Sequence, residues 1–84
     1  MAYHLEINPE QTVLTPTQAQ VLAYVAMGND DKEVAKLMGN SPRTIETHLK
    51  DIYSRLGKYE SRRLNRLTAA FEAVTQGVLS LAAE

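Results

Sequence analysis

Ser41-Pro42-Arg43-Thr44-Ile45-Glu46-Thr47-His48-Leu49-Lys50-Asp51-Ile52-Tyr53-Ser54-Arg55-Leu56-Gly57 is the stretch that decides the fold. Serine is a preferred N-cap, because its hydroxyl accepts from a backbone N–H of the first turn. Proline suits the first helical position, where an N–H has no partner inside the helix. Ile45, Leu49, Ile52, Tyr53 and Leu56 follow at steps of four, three, one and three, which places them on one helical face. Arg43, Glu46, Thr47, Lys50, Asp51 and Ser54 lie between them, so the opposite face is polar. Gly57 supplies a stop. The pattern predicts a helix over residues 41–56 with one face for a core and one for water or a polar partner.

Upstream, Gly39-Asn40 forms a compact turn able to take positive φ. Before it, Val34, Ala35, Leu37 and Met38 predict a short helix from about Asp31 to Met38, capped by Asp30 or Asp31. Another helix is expected to start near Thr15-Pro16-Thr17, where Gln18 allows a capping box. It buries Val21, Leu22 and Val25, helped by Ala19 and Ala26, and stops at Gly28-Asn29. Residues 1–13 read as a lead-in. Tyr3, Leu5 and Ile7 alternate with polar residues, which suits a short extended stretch packed on the body, ended by Pro9.

Downstream of Gly57, Leu64, Leu67, Phe71, Val74, Val78 and Leu81 are spaced 3-4-3-4-3. That is an a/d seam, and it predicts a fourth helix from Glu60 or Ser61 to Leu81. Ala69, Ala70 and Ala73 flank the seam and would let a second helix approach. Gly77 inside such a helix costs about 1 kcal/mol relative to Ala. The expected architecture is all-α: a four-helix helix-turn-helix domain over residues 14–84 with a long C-terminal dimerisation helix.

The chain has 84 residues, one small domain whose core is marginal enough to favour a partner subunit. It has no Cys, so disulfides and thiolate metal sites are ruled out. His4 and His48 are too few and too far apart for a metal cluster, and no cofactor is expected. No apolar run approaches the roughly 20 residues of a membrane span, and the N-terminus lacks the layout of a signal peptide, so a cytoplasmic protein is expected. Without a Gly-rich phosphate loop, a Cys nucleophile or paired carboxylates beside a basic partner, an enzyme is not expected. The net charge of −1 hides an uneven distribution. Residues 1–40 carry −3, residues 41–66 carry +4, with seven Lys or Arg against three acids, and residues 67–84 carry −2. Binding to phosphates depends on local charge density, because screening acts within about 8 Å at physiological salt. On charge alone the basic segment is either a phosphate-binding surface or an ordinary solvated helix face.

The residue pattern goes further than charge. Leu14-Thr15, Val21-Leu22, Ala26-x-Gly28, Lys32-Glu33-Val34-Ala35, Ser41 to Leu49 and Ile52-Tyr53-x-Arg55-Leu56-Gly57 resemble the LuxR/GerE family of DNA-binding domains. The resemblance covers residues 14–57 and continues loosely beyond. It implies transcription regulation, a third helix lying in the major groove of double-stranded DNA, and a homodimer formed through helix four. By family position, Glu46, Thr47 and Lys50 contact bases, while Lys32, Ser41, Thr44 and Arg55 meet backbone phosphate. Arg43 joins them on the solvent face of the helix. The chemistry is suitable: Lys50 can donate to guanine O6 or N7, and Thr47 can touch a thymine methyl. Phosphate contacts fix register without reading sequence. Leu64, Leu67, Phe71, Val74, Val78 and Leu81 are the expected dimerisation residues. His48 is expected to be structural, and Tyr53 and Leu56 to be core.

The chain departs from the family's pattern in four places. Glu46 stands where a basic residue is common; a carboxylate there repels phosphate but can accept from cytosine N4. Thr17, Gln18 and Gln20 replace an Arg and two acids, so the usual salt bridges of the first helix are expected to be missing. Asp30-Asp31 brings acids near the DNA, and Asn40 replaces an apolar turn residue. Together these predict modest binding by one subunit. They also motivate an alternative function, a protein-interaction module or antagonist that pairs with a related regulator through the C-terminal helix.

Overall fold

The computed structural model describes residues 3–57 and 65–83. In chain order it contains strand β1 (Tyr3–Ile7), helices α1 (Pro16–Ala26), α2 (Asp31–Met38), α3 (Pro42–Leu56) and α4 (Arg66–Thr75), and strand β2 (Leu79–Ala83). The first three helices begin where local side-chain chemistry directs. Thr15 Oγ1 accepts from the Gln18 N–H at 3.2 Å, and Gln18 Oε1 accepts from the Thr15 N–H at 3.1 Å, closing a capping box. Asp30, rather than Asp31, caps α2: its Oδ1 accepts from the Glu33 N–H at 2.8 Å, and Glu33 returns the bond at 3.0 Å. Ser41 Oγ accepts from the Thr44 N–H at 3.2 Å to open α3. Between α2 and α3, Gly39 adopts φ +70°, and the Asn40 N–H closes on the Ala35 carbonyl at 2.8 Å. That left-handed residue turns the chain tightly enough to join the two helices as a helix-turn-helix.

The core forms around α1, which packs against α2, α3, α4 and β1. Val21 and Leu22 of α1, Val34 of α2, Ile45, Ile52 and Leu56 of α3, and Val78 and Leu79 at the C-terminal end are almost wholly buried. Each such side chain contributes roughly 1.5–3 kcal/mol on leaving water. The apolar stripe read from α3 therefore faces inward as expected, with Tyr53 half-buried at its edge.

The C-terminal third departs from the expected all-α fold. Helix α4 ends at Thr75 instead of reaching Leu81. The Gly77 N–H bonds to the Val74 carbonyl at 3.2 Å and the Val78 N–H to the Ala73 carbonyl at 2.8 Å, with Gly77 at φ +76°. These are the two bonds of a Schellman stop, and Val78 and Ala73, both fully buried, supply its apolar contact. Gly77 is thus the C′ residue of a finished helix and not a weak point inside a longer one. The chain beyond it pairs as β2 with β1, antiparallel, with Leu5 opposite Leu81 and Ile7 opposite Leu79. Asn8 fastens the junction: its N–H donates to the Val78 carbonyl at 2.9 Å and its Nδ2 to the Gly77 carbonyl at 3.0 Å. The extended stretch expected at Tyr3, Leu5 and Ile7 is present, and its partner is the segment that heptad spacing assigned to helix. At its other end, α4 is capped by Asn65, whose Oδ1 accepts from the Thr68 N–H at 3.0 Å. The expected start at Glu60 or Ser61 lies outside the described residues.

Candidate nucleic-acid interface

With Ile45, Leu49, Ile52 and Leu56 turned into the core, helical geometry leaves Arg43, Glu46, Thr47 and Lys50 exposed together on the outer face of α3. An open trench of about 560 Å³ runs along them, lined by Pro42, Arg43, Glu46, Thr47 and Lys50 of α3 and by Asp31, the first residue of α2. It continues into a second hollow of about 400 Å³ that adds Leu49, Tyr53, Asn65 and Arg66. The four side chains expected on the groove-facing surface are therefore adjacent.

Each is held to a different degree. Lys50 Nζ lies 4.0 Å from Glu46 Oε1, an exposed i,i+4 pair that constrains neither side chain strongly. Glu46 thus has a cation beside it, and Lys50 is free to exchange that carboxylate for a base edge or phosphate. The Thr47 hydroxyl donates to the Arg43 carbonyl at 3.1 Å. This commits its proton to the helix backbone and leaves its lone pairs and methyl for a partner. Among the described residues, Arg43 and the exposed Lys32 of α2 enter no ion pair.

Ser41 and Thr44 stand at the N-terminus of α3, their hydroxyl oxygens 3.0 Å apart. Their local role is the cap. The same helix end also carries the positive end of the helix dipole, which suits an anion. Arg55 is at the other end of α3, its Nε donating to Asp51 Oδ2 at 3.1 Å. His48 is half-buried.

Three contacts escaped the sequence reading because their partners are distant in the chain. The buried Gln18 of α1 donates from Nε2 to Asp51 Oδ2, the carboxylate that also holds Arg55. A neutral side chain thereby joins α1 to α3 where salt bridges were expected to be missing. Gln76 Nε2 donates to the Leu56 carbonyl at 2.8 Å, tying the end of α4 to the end of α3. Arg66 at the start of α4 donates from Nη1 to Asp31 Oδ1 at 2.5 Å and from Nη2 to the Asn29 carbonyl at 2.8 Å. Of the two acids expected near the DNA, Asp31 is therefore paired with a cation. Tyr53 lies beside this cluster; burial pushes its phenol above the ordinary value, Arg66 draws it down and Asp31 adds to the rise. The signal that could have placed Arg66 is the run Asn65-x-x-Thr68, a capping box that starts a helix at Arg66.

The expected dimerisation residues do not stay together. Leu67, Phe71 and Val74 form an exposed stripe on α4, 69%, 67% and 45% accessible, and Leu81 is exposed on β2 at 63%. Val74 and Leu81 line one shallow hollow between α4 and the sheet. Val78 is fully buried in the protein's own core, and Leu64 lies outside the described residues. Among the described residues no group of His, Cys, Asp or Glu is arranged to hold a metal, and no helix is long and apolar enough to cross a membrane.

Comparison with known proteins places this arrangement. The family model described as "Bacterial regulatory proteins, luxR family" matches residues 12–67, from just ahead of α1 into the first turn of α4. A Mycobacterium tuberculosis protein named as an HTH-type transcriptional regulator is 46% identical over 44 residues, 52% of this chain and 5% of that protein. The transcriptional activator protein VanR of Vibrio anguillarum is 30% identical over 77 residues, 92% of this chain and 28% of VanR. The transcriptional activator protein YukR of Yersinia ruckeri is 29% identical over 62 residues, 74% of this chain and 27% of YukR. The chain thus spans less than a third of each of these relatives. No solved structure matches it.

Proposed function

The chain belongs to the luxR family of bacterial regulatory proteins, and from that premise we propose that it binds double-stranded DNA sequence-specifically to regulate transcription, with α3 in the major groove. The observation that carries this reading is the outer face of α3. Ile45, Leu49, Ile52 and Leu56 are committed to the core, and what remains outside is a contiguous polar surface of Arg43, Glu46, Thr47 and Lys50 on a capped helix. A groove about 12 Å wide admits such a helix, and these side-chain types match base edges. Lys50 donates to guanine, Thr47 meets a thymine methyl, and Glu46 accepts from cytosine N4. Lys32, Ser41, Thr44 and Arg55 meet phosphates around them and set the register. The printed names of VanR and YukR, transcriptional activator proteins, agree with this reading.

The protein acts as a homodimer in this proposal. Leu67, Phe71 and Val74, left exposed by α4, are the surface that a second copy covers, with Leu81 at its margin. Two recognition helices related by a two-fold axis read half-sites about 34–36 Å apart when these lie one turn apart on the duplex. Such a regulator works in the bacterial cytoplasm, at the nucleoid. Selection of bound sequences from a random duplex pool, followed by polarisation titrations at two salt concentrations, tests the reading. A partly palindromic site with salt-dependent affinity is expected; folded protein that retains no duplex at high concentration overturns it.

A further inference from the structure

Two acids line the trench beside α3, and they are treated differently. Glu46 is on the recognition face itself with Lys50 loosely beside it at 4.0 Å. Asp31 joins the lining from the front of α2 and is gripped by Arg66 at 2.5 Å. The grip has two prongs, since the same guanidinium donates to the Asn29 carbonyl at 2.8 Å. A planar fork held at two points is fixed in direction as well as in charge. Arg66 itself is at the first position of α4, immediately after its Asn65 cap. A cation there opposes the helix dipole, so its placement reflects its acceptors and not the preference of its own helix.

We propose that Arg66 is a positioning residue for DNA binding: it masks the charge of Asp31, so that a phosphate backbone can lie along the trench. This inference rests on the DNA-binding reading. Without Arg66, Asp31 would face the duplex as an unmatched carboxylate, next in the chain to Lys32 and beside the α3 surface proposed to meet the duplex. The start of α4, the helix that carries the exposed apolar stripe, thus sets the electrostatics of the surface that α3 presents.

The test is a double-mutant cycle on the full chain with a fluorescent duplex carrying the selected site, titrated across a range of salt. Arg66→Gln lowers affinity about 10-fold and makes the log–log salt slope shallower by up to about 0.9, because the unmasked Asp31 carboxylate offsets one phosphate-facing cation. Asp31→Asn alone binds as well as the parent or better. The double variant Asp31→Asn with Arg66→Gln recovers parental affinity and slope to within about 2-fold, although its melting temperature stays below the parent's. A purely architectural Arg66 gives the opposite result, a double variant as weak as Arg66→Gln, and that overturns the inference. So does an Arg66→Gln variant that binds like the parent. If Arg66→Gln does not fold, the double variant Asp31→Asn with Arg66→Leu is compared directly with the parent: parental affinity is the expected result, and weakened binding by the folded variant overturns the inference. Failure of the parent protein to bind any duplex removes the DNA-binding reading and this inference with it, whereas parental binding without the rescue removes this inference alone.

Discussion

Helices α3 and α4 are both amphipathic, yet they spend their apolar residues in opposite ways. Helix α3 turns Ile45, Leu49, Ile52 and Leu56 inward and shows the outside a polar face. Helix α4 turns Ala69 and Ala73 inward and leaves Leu67, Phe71 and Val74 outside. The core accepts α4 through its small residues and does not need its large ones. The difference indicates what each free face is suited to meet: a charged, hydrogen-bonding partner at α3, and an apolar, close-packing one at α4. In the proposed homodimer this stripe is the surface that a second copy covers.

The largest effect that can break the comparison is in the core. Ile52→Ala removes a fully buried side chain from α3 and is expected to cost about 2–5 kcal/mol in denaturant unfolding, while Phe71→Ala on α4 should change the stability of the monomer by less than about 1 kcal/mol. Equal losses at the two positions would mean that α4 is buried in a way the exposed stripe does not reflect. Next in size is the apolar face itself. Phe71→Glu should weaken self-association by at least about 30-fold, the loss at a central interface residue, in sedimentation equilibrium, with the helical circular dichroism unchanged. An unaltered monomer–dimer equilibrium would take α4 out of the interface.

Smaller effects sharpen the account. Lys50→Ala should lower affinity for the selected site by roughly 10-fold, near the lower range for a good base contact, and relax preference at one base position while the melting temperature stays put. Gly77→Ala discriminates by sign. At φ +76° with open space around it, an added methyl meets no neighbour but strains the backbone, so a loss of about 1 kcal/mol is expected. Were residues 76–81 helical, the same change would stabilise by about 1 kcal/mol.

That last contrast shows where the fold was legible in the sequence and where it was not. The starts of α1, α2 and α3 are written in residues three apart, Thr15 with Gln18, Asp30 with Glu33, Ser41 with Thr44, so local chemistry suffices to find them. The outer face of α3 is equally local, because helical periodicity sorts Arg43, Glu46, Thr47 and Lys50 from the core residues. The end of α4 is different. Val78 and Leu81 continue the 3-4 spacing, and only the Gly77 stop and a strand partner at the far end of the chain exclude helix there. Heptad spacing cannot see a partner that far away. The same limit hid the Arg66–Asp31 pair: both charges were visible, but their meeting depends on the fold bringing the start of α4 within reach of the front of α2.

The most direct measurement is an amide chemical-shift titration of the isotopically labelled protein with its selected duplex. The account predicts that the large perturbations fall on residues 41–50 and on the front of α2 around Asp31 and Lys32, with the exposed stripe of α4 little changed beyond effects of dimerisation already present without DNA. Perturbations centred on Leu67, Phe71 and Val74, with the outer face of α3 unmoved, would contradict it.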